Sequence, residues 1–119
     1  MDWKVKNQKN KAVVWNYWQR MNSAKPHEVK GICKKAFDRN INWNGSQPFN
    51  HIRGIDDLVT IFWEPLLNSF PDIERVPHIL LGGLSDGEEW VSGYGYLTGT
   101  FVHDWLGIPA TGKKTHINF

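Results

Sequence analysis

With a single cysteine, Cys33, the chain can form no internal disulfide, and one lone thiol fits a reducing compartment. A surplus of charge is also missing. Fourteen basic residues face twelve acidic ones, a net +2, which is too balanced to attract nucleic acid or an anionic membrane. No apolar run approaches the length of a membrane span. The opening "MDWKVKNQKNK" is polar and unlike a signal peptide, so the expected setting is soluble and cytoplasmic. The five histidines, His27, His51, His78, His103 and His116, are nowhere paired at ligand spacing, so no metal is expected. There is no G-x-S-x-G, and Ser46, Ser69, Ser85 and Ser92 sit in no nucleophile context. Gly107, Gly112 and Lys113 satisfy G-x-x-x-x-G-K. Lys114 follows where a phosphate loop needs Ser or Thr, a strand pattern follows where it needs a helix, and Pro109 removes an N–H donor. Nucleotide binding is excluded on those grounds. Neither internal repeats nor low-complexity segments appear.

Aromatic residues, by contrast, are abundant: seven Trp, six Phe and three Tyr. Such side chains fill a core, or they line a cavity for a flat apolar ligand. At 119 residues the chain suits one domain, long enough to bury roughly two-thirds of its unfolded surface.

Residues 5–23 carry an apolar stripe at Val14, Trp18 and Met21, flanked by Trp15 and Tyr17, which predicts a helix. Lys4, Lys6, Lys9 and Lys11 form its solvated face. "SAKPHEVKGICKKAF" restarts as a second helix with Pro26 near its first position and Val29, Ile32, Cys33, Ala36 and Phe37 on one side. Cys33 there reads as a small buried hydrophobe. Ile41 and Trp43 alternate with Asn40, Asn42 and Asn44, a short strand ending in the turn Asn44-Gly45, and "SQPFNHIRG" reads as a loop. A third helix follows Gly54, with Asp56 and Asp57 in its first turn; Pro65 should kink it or end it near Glu64.

Strands follow. "IERVPHILLGG" and "EEWVSGYGYLTGTF" flank a hairpin signal at Asp86-Gly87. Trp90, Ser92, Tyr94, Tyr96, Thr98 and Thr100 share one face of the second strand. Val91, Gly93, Gly95, Leu97, Gly99 and Phe101 share the other, where the glycines let the sheet bend or another element approach closely. "VHDWLGIPATG" reads as a loop and "KKTHINF" as a closing strand, with Lys114, His116 and Asn118 against Thr115, Ile117 and Phe119. The order implies an α+β fold with helices laid on one face of a curled antiparallel sheet.

In such a fold Trp15, Trp18, Trp43, Trp63, Trp90 and Trp105 come from five different elements and can converge on one pocket with Tyr94 and Tyr96. His78, His103, Asp104 and His116 add acid–base capacity. Plainer roles compete: His78 in "RVPHILL" as a core or edge histidine, Asp104 beside Trp105 as a loop cap.

The run "TGTFVHDWLGIPATGKK", with T-G-x-F and then L-G-I-P-A-T-G-K, resembles the SnoaL-like polyketide cyclase family of the nuclear transport factor 2-like superfamily. "INWNGSQPFNHIRGIDDLVTIFWEPLLNSFPDIER" resembles it too, and the likeness runs from about residue 13 to 119. It implies a cone-shaped, cystatin-like α+β barrel around an apolar pocket for a small hydrophobic or aromatic molecule. The implied chemistry is aldol cyclase or isomerase type, without cofactor, on an aromatic or polycyclic ketone. In the family the catalytic aspartate belongs to a final strand beyond the one matching "KKTHINF". The resemblance therefore implies a single domain over 1–119 that is C-terminally incomplete, with no residue here matching that aspartate. His78, His116 and Asp104 remain as substitute candidates. The pocket would be walled by Trp15, Trp18, Trp43, Trp63, Trp90, Tyr94 and Tyr96. A non-catalytic hydrophobe-binding domain or an inactive remnant are the alternatives. Unpaired N–H and C=O groups along residues 115–119 predict pairing into a homodimer.

Overall fold

The computed structural model describes residues 2–119. Helix α1 spans Trp3–Met21 and begins earlier than the apolar stripe suggests, because the Asp2 carboxylate caps it by accepting from the Lys4 N–H at 3.2 Å. A 3-10 turn at Pro26–Glu28 leads into α2, Val29–Ala36, which buries Val29 and Cys33 completely. Strand β1, Asn42–Asn44, pairs antiparallel with β2, His51–Arg53, matching Trp43 to Ile52. The sequence reading placed His51–Arg53 in a loop. Three residues with one buried side chain, Ile52, carry too little alternation to register as a strand.

Helix α3 is built of α-helical Ile55–Asp57, a π-helical stretch Leu58–Trp63 and α-helical Glu64–Ser69. It does not end near Glu64. The Glu64 N–H bonds to the Val59 carbonyl five residues back, so the backbone has left α register one turn before Pro65. The widened turn accommodates a ring that would otherwise collide with a carbonyl, and the helix continues. Its apolar face, Leu58, Val59, Trp63, Leu66 and Leu67, forms the centre of the core with Val29, Cys33, Ile55 and Phe70.

Strands β3 (Glu74–Ser85), β4 (Glu88–Thr100) and β5 (Lys114–Asn118) form one antiparallel sheet in the order β3-β4-β5. The predicted turn joins β3 to β4, with Asp86 at φ 51° and Gly87 at φ 77°, the left-handed pair that a tight two-residue hairpin needs. The register slips between Pro77 and Ile79, leaving His78 on a bulge opposite Gly95. Gly95 allows this: a Cβ there would collide with the Val76 carbonyl, and one at Gly93 would meet the Trp18 ring at 2.5 Å. The glycines of β4 thus let α1 and the bulged β3 approach closely, one of the two uses expected of them. The sheet does not close into the expected barrel, and β3 and β5 stand as its edges among the described residues.

One side chain ties α1 to an edge. Asn22, just past the helix, accepts from the Arg75 N–H at 2.7 Å and donates to the Arg75 carbonyl at 3.0 Å, as a neighbouring strand would.

Candidate ligand site

The tryptophans divide into groups. Trp43, Trp63 and Trp105 join Phe49, Phe62 and Phe70 between α3, β1 and the loop after β4. Trp43 and Phe62 lie 4.6 Å apart between ring centres, Phe62 and Trp63 5.0 Å, and Phe49 and Trp105 6.0 Å. These rings pack on one another at core spacing. Trp18 belongs to a second group, where α1 crosses the sheet: its ring meets Phe119 edge-on at 5.4 Å, while Tyr17 packs on Phe37 at 4.6 Å and on Trp63 at 6.3 Å. Trp15 and Trp90 are 44% and 57% exposed and lie outside both groups.

Tyr94 and Tyr96 lie on the sheet face opposite the helices, as their alternation with Gly93, Gly95 and Leu97 requires. Tyr96 stacks on the His116 ring at 4.0 Å, and His78 meets Tyr94 at 5.7 Å and Tyr96 at 5.4 Å. Both histidines are exposed. Asp104 is exposed too, and its Oδ1 accepts the Ala110 N–H at 2.8 Å. Its own carbonyl accepts from the buried Ser69 hydroxyl at 3.2 Å, while Trp105 and Ile108 exchange main-chain hydrogen bonds across Leu106 and Gly107. The L-G-I-P segment is thus a tight turn closed by Asp104. His103 is exposed beside it.

Two surface clefts flank the core. One of about 560 Å³ is bounded by Phe49, His51, Ile61, Asp104 and Trp105. The other, about 660 Å³, is bounded by Lys30, Lys34, Arg39, Arg53 and Asp56. Lys30 pairs with Asp56 at 2.9 Å, and that hydrogen bond and charge hold the Asp56 carboxyl below its ordinary pKa.

Sequence reasoning buried Cys33 and set Tyr17 beside the apolar stripe, but missed Arg75. Burial pushes the Cys33 thiol up to about 11 and raises the Tyr17 phenol well above its ordinary value, so both stay protonated at neutral pH. Arg75 is half-buried, with its guanidinium over the Trp18 ring. The available signal was its register: paired with Leu97, it occupies a helix-facing position of β3, where an apolar residue is the norm. Among the described residues no group of three or more His, Cys, Asp or Glu side chains could hold a metal ion. No described helix is long and apolar enough to cross a membrane.

No family profile and no curated protein matches the chain. Solved structures do. A candidate SnoaL-like polyketide cyclase from Jannaschia sp. CCS1 superimposes with a TM-score of 0.73 at 18% identity, over 94% of this chain and 73% of its own. The chain has the SnoaL-like fold. AclR, a candidate hydroxylase from Streptomyces galilaeus, matches at TM-score 0.70 and 21% identity, over 93% of this chain and 74% of that one. A candidate polyketide cyclase from Xanthomonas campestris matches at 0.67 and 12%, over 94% and 77%. The names attached to these neighbours differ in reaction, which fits a SnoaL-like scaffold carrying chemistry in its side chains rather than in its backbone.

Proposed function

We propose that this SnoaL-like chain is a polyketide cyclase-type protein whose interior, between α1, α3 and the sheet, takes a small aromatic or polycyclic molecule. The observation that supports this reading is the match over 94% of the chain to a candidate SnoaL-like polyketide cyclase. Trp63 is buried there and Trp18 packs against the same core, so a ligand would meet flat apolar rings. The reaction of this type is a cofactor-free proton transfer beside a carbonyl, with neutral donors steadying the enolate.

A second reading, binding without catalysis, is favoured by the placement of the candidate acid–base groups. His78 and His116 stand on the exposed sheet face, and Asp104 closes a surface turn. The inward Tyr17 and Cys33 are held protonated and make poor bases at neutral pH. Binding is common to both readings, and turnover separates them. A polycyclic phenol titrated into the folded protein should change tryptophan emission; a flat response at saturating ligand overturns both. With a model polyketide ketone the cyclase reading expects turnover and the binding reading little or none, a positioned general acid–base being worth about 10²–10⁴ in rate. Substantial turnover that collapses in His116→Ala or His78→Ala would overturn the binding reading and put the catalyst on the outer face.

A further inference from the structure

The surface cleft of about 560 Å³ is built from three elements. Ile61, Pro65 and Asn68, at i, i+4 and i+7 of α3, form its floor. The core takes Leu58, Val59, Trp63, Leu66 and Leu67 from that helix and leaves this stripe uncovered, so Ile61 is 48% exposed. One exposed apolar side chain is ordinary, but Leu106, 46% exposed, borders the same cleft from the turn after β4. Phe49, from the loop between β1 and β2, and Trp105 complete the apolar walls.

Both walls are fixed by their own main chains. The Phe49 N–H donates to the Ser46 carbonyl at 3.0 Å and the Gly45 N–H to the Asn50 carbonyl at 2.7 Å, while Trp105 and Ile108 close the other turn. A ligand entering here has little loop to order, which spares it that cost. The charge of the cleft is one-sided. Asp104 is the only acid on it, and no lysine or arginine borders it. One carboxylate oxygen accepts the Ala110 N–H, and the other has no hydrogen-bond partner among the described residues. Neither ion pair among those residues, Lys6–Glu89 or Lys30–Asp56, involves it. His51 is engaged with Asn42 at 3.2 Å. The cleft beside α2 has the opposite sign, with Lys30, Lys34, Arg39 and Arg53 on its rim.

We infer that this cleft binds an organic ammonium, whose charge pairs with the unengaged oxygen of Asp104 while its apolar body lies on Ile61, Pro65 and Leu106. The Phe49 and Trp105 rings at the same place attract a cation that lies over their faces. A metal ion suits the site poorly, because one free carboxylate oxygen is far short of the six or more ligands that a hard cation takes and apolar walls give it nothing. An anion would meet the Asp104 charge with no cation to offset it. The site is separate from the interior invoked above and does not depend on it.

The test is a calorimetric titration of the full chain with naphthylmethylamine, an ammonium at neutral pH, and with naphthalenemethanol, its neutral counterpart on the same ring system. The amine should bind about threefold to thirtyfold more tightly, the joint scale of an exposed ion pair and a cation–π contact. Added salt should shrink that advantage. Asp104→Asn keeps a side-chain oxygen for the Ala110 N–H and removes the charge, so it should bring the amine down to the affinity of the alcohol. Ile61→Lys, at an exposed position away from that turn, serves if the first variant fails to fold. It sets a cation on the floor and should weaken the amine by about tenfold or more. Equal binding of amine and alcohol overturns the inference, and so does no binding of the amine. A preference that survives Asp104→Asn or Ile61→Lys places the ammonium elsewhere and overturns it as well. None of these outcomes bears on the interior, which the phenol titration tests.

Discussion

Asn22→Ala removes a side chain that pairs with the β3 edge at Arg75. Two hydrogen bonds are lost, 2.7 Å from the Arg75 N–H and 3.0 Å to the Arg75 carbonyl, both part-buried. Each contributes about 1 kcal/mol net, and stranding a part-buried N–H and C=O adds a desolvation term, so the expected loss is about 2–3 kcal/mol. For a domain of this size that lowers Tm by about 6–15 °C. Asn22→Asp keeps an acceptor for the Arg75 N–H and loses the donor to its carbonyl, so its loss should be smaller. The assay is urea unfolding of the three proteins followed by tryptophan emission, with midpoints compared at equal m. A loss below about 0.5 kcal/mol for Asn22→Ala, the range of ordinary surface changes, would refute the idea that this side chain stands in for a strand.

Gly95→Ala forces a Cβ into the backbone of the bulged β3, which cannot yield as a side chain can, and should cost about 3 kcal/mol or more by thermal unfolding. Gly83→Ala, where a Cβ meets nothing within 4 Å, is the control and should be neutral or stabilise by up to about 1 kcal/mol; equal effects at both sites would refute the close-approach argument. Asp72 receives the Thr100 N–H and hydroxyl, both at 2.7 Å, and these hydrogen bonds hold its carboxyl below the ordinary pKa. The stability it contributes is therefore present above the unfolded value of about 4 and is lost as pH falls through the folded one. Asp72→Asn should lose less than about 1 kcal/mol at neutral pH, the group being exposed, and urea midpoints of the two proteins should converge in acid; parallel curves would contradict this. Finally, β5 is an open edge, and Ile79, Leu81, Trp90 and Tyr94 are exposed along the sheet, so we expect a homodimer at tens of micromolar; a clean monomer in sedimentation would sink that expectation.

Local features were legible before any tertiary information. The stripe through Trp18 and Met21, the proline-started second helix, the Asp86-Gly87 hairpin and the alternation of β4 all depend on spacing and turn chemistry over a few residues. The α+β order followed from them, and the resemblance in L-G-I-P-A-T-G-K led to the fold that the solved neighbours share. Strand β2 escaped because three residues hold too little pattern, and of the two effects expected of Pro65 the helix end does not occur, because a π-helical turn absorbs what an α-helix would not. Which aromatic meets which was decided only by tertiary packing. Period-2 spacing separates Tyr96 from Leu97, but it does not say that helices cover the Leu97 face and leave Tyr94, Tyr96 and His116 on the other. Nor does it show that Asp104 spends its carboxylate on the Ala110 N–H, or that Arg75 lies over Trp18 and Phe119. Propensity and periodicity are properties of neighbouring residues, whereas burial and charge pairing join residues as distant in the chain as Trp18, Arg75 and Phe119, and only the folded chain brings them together.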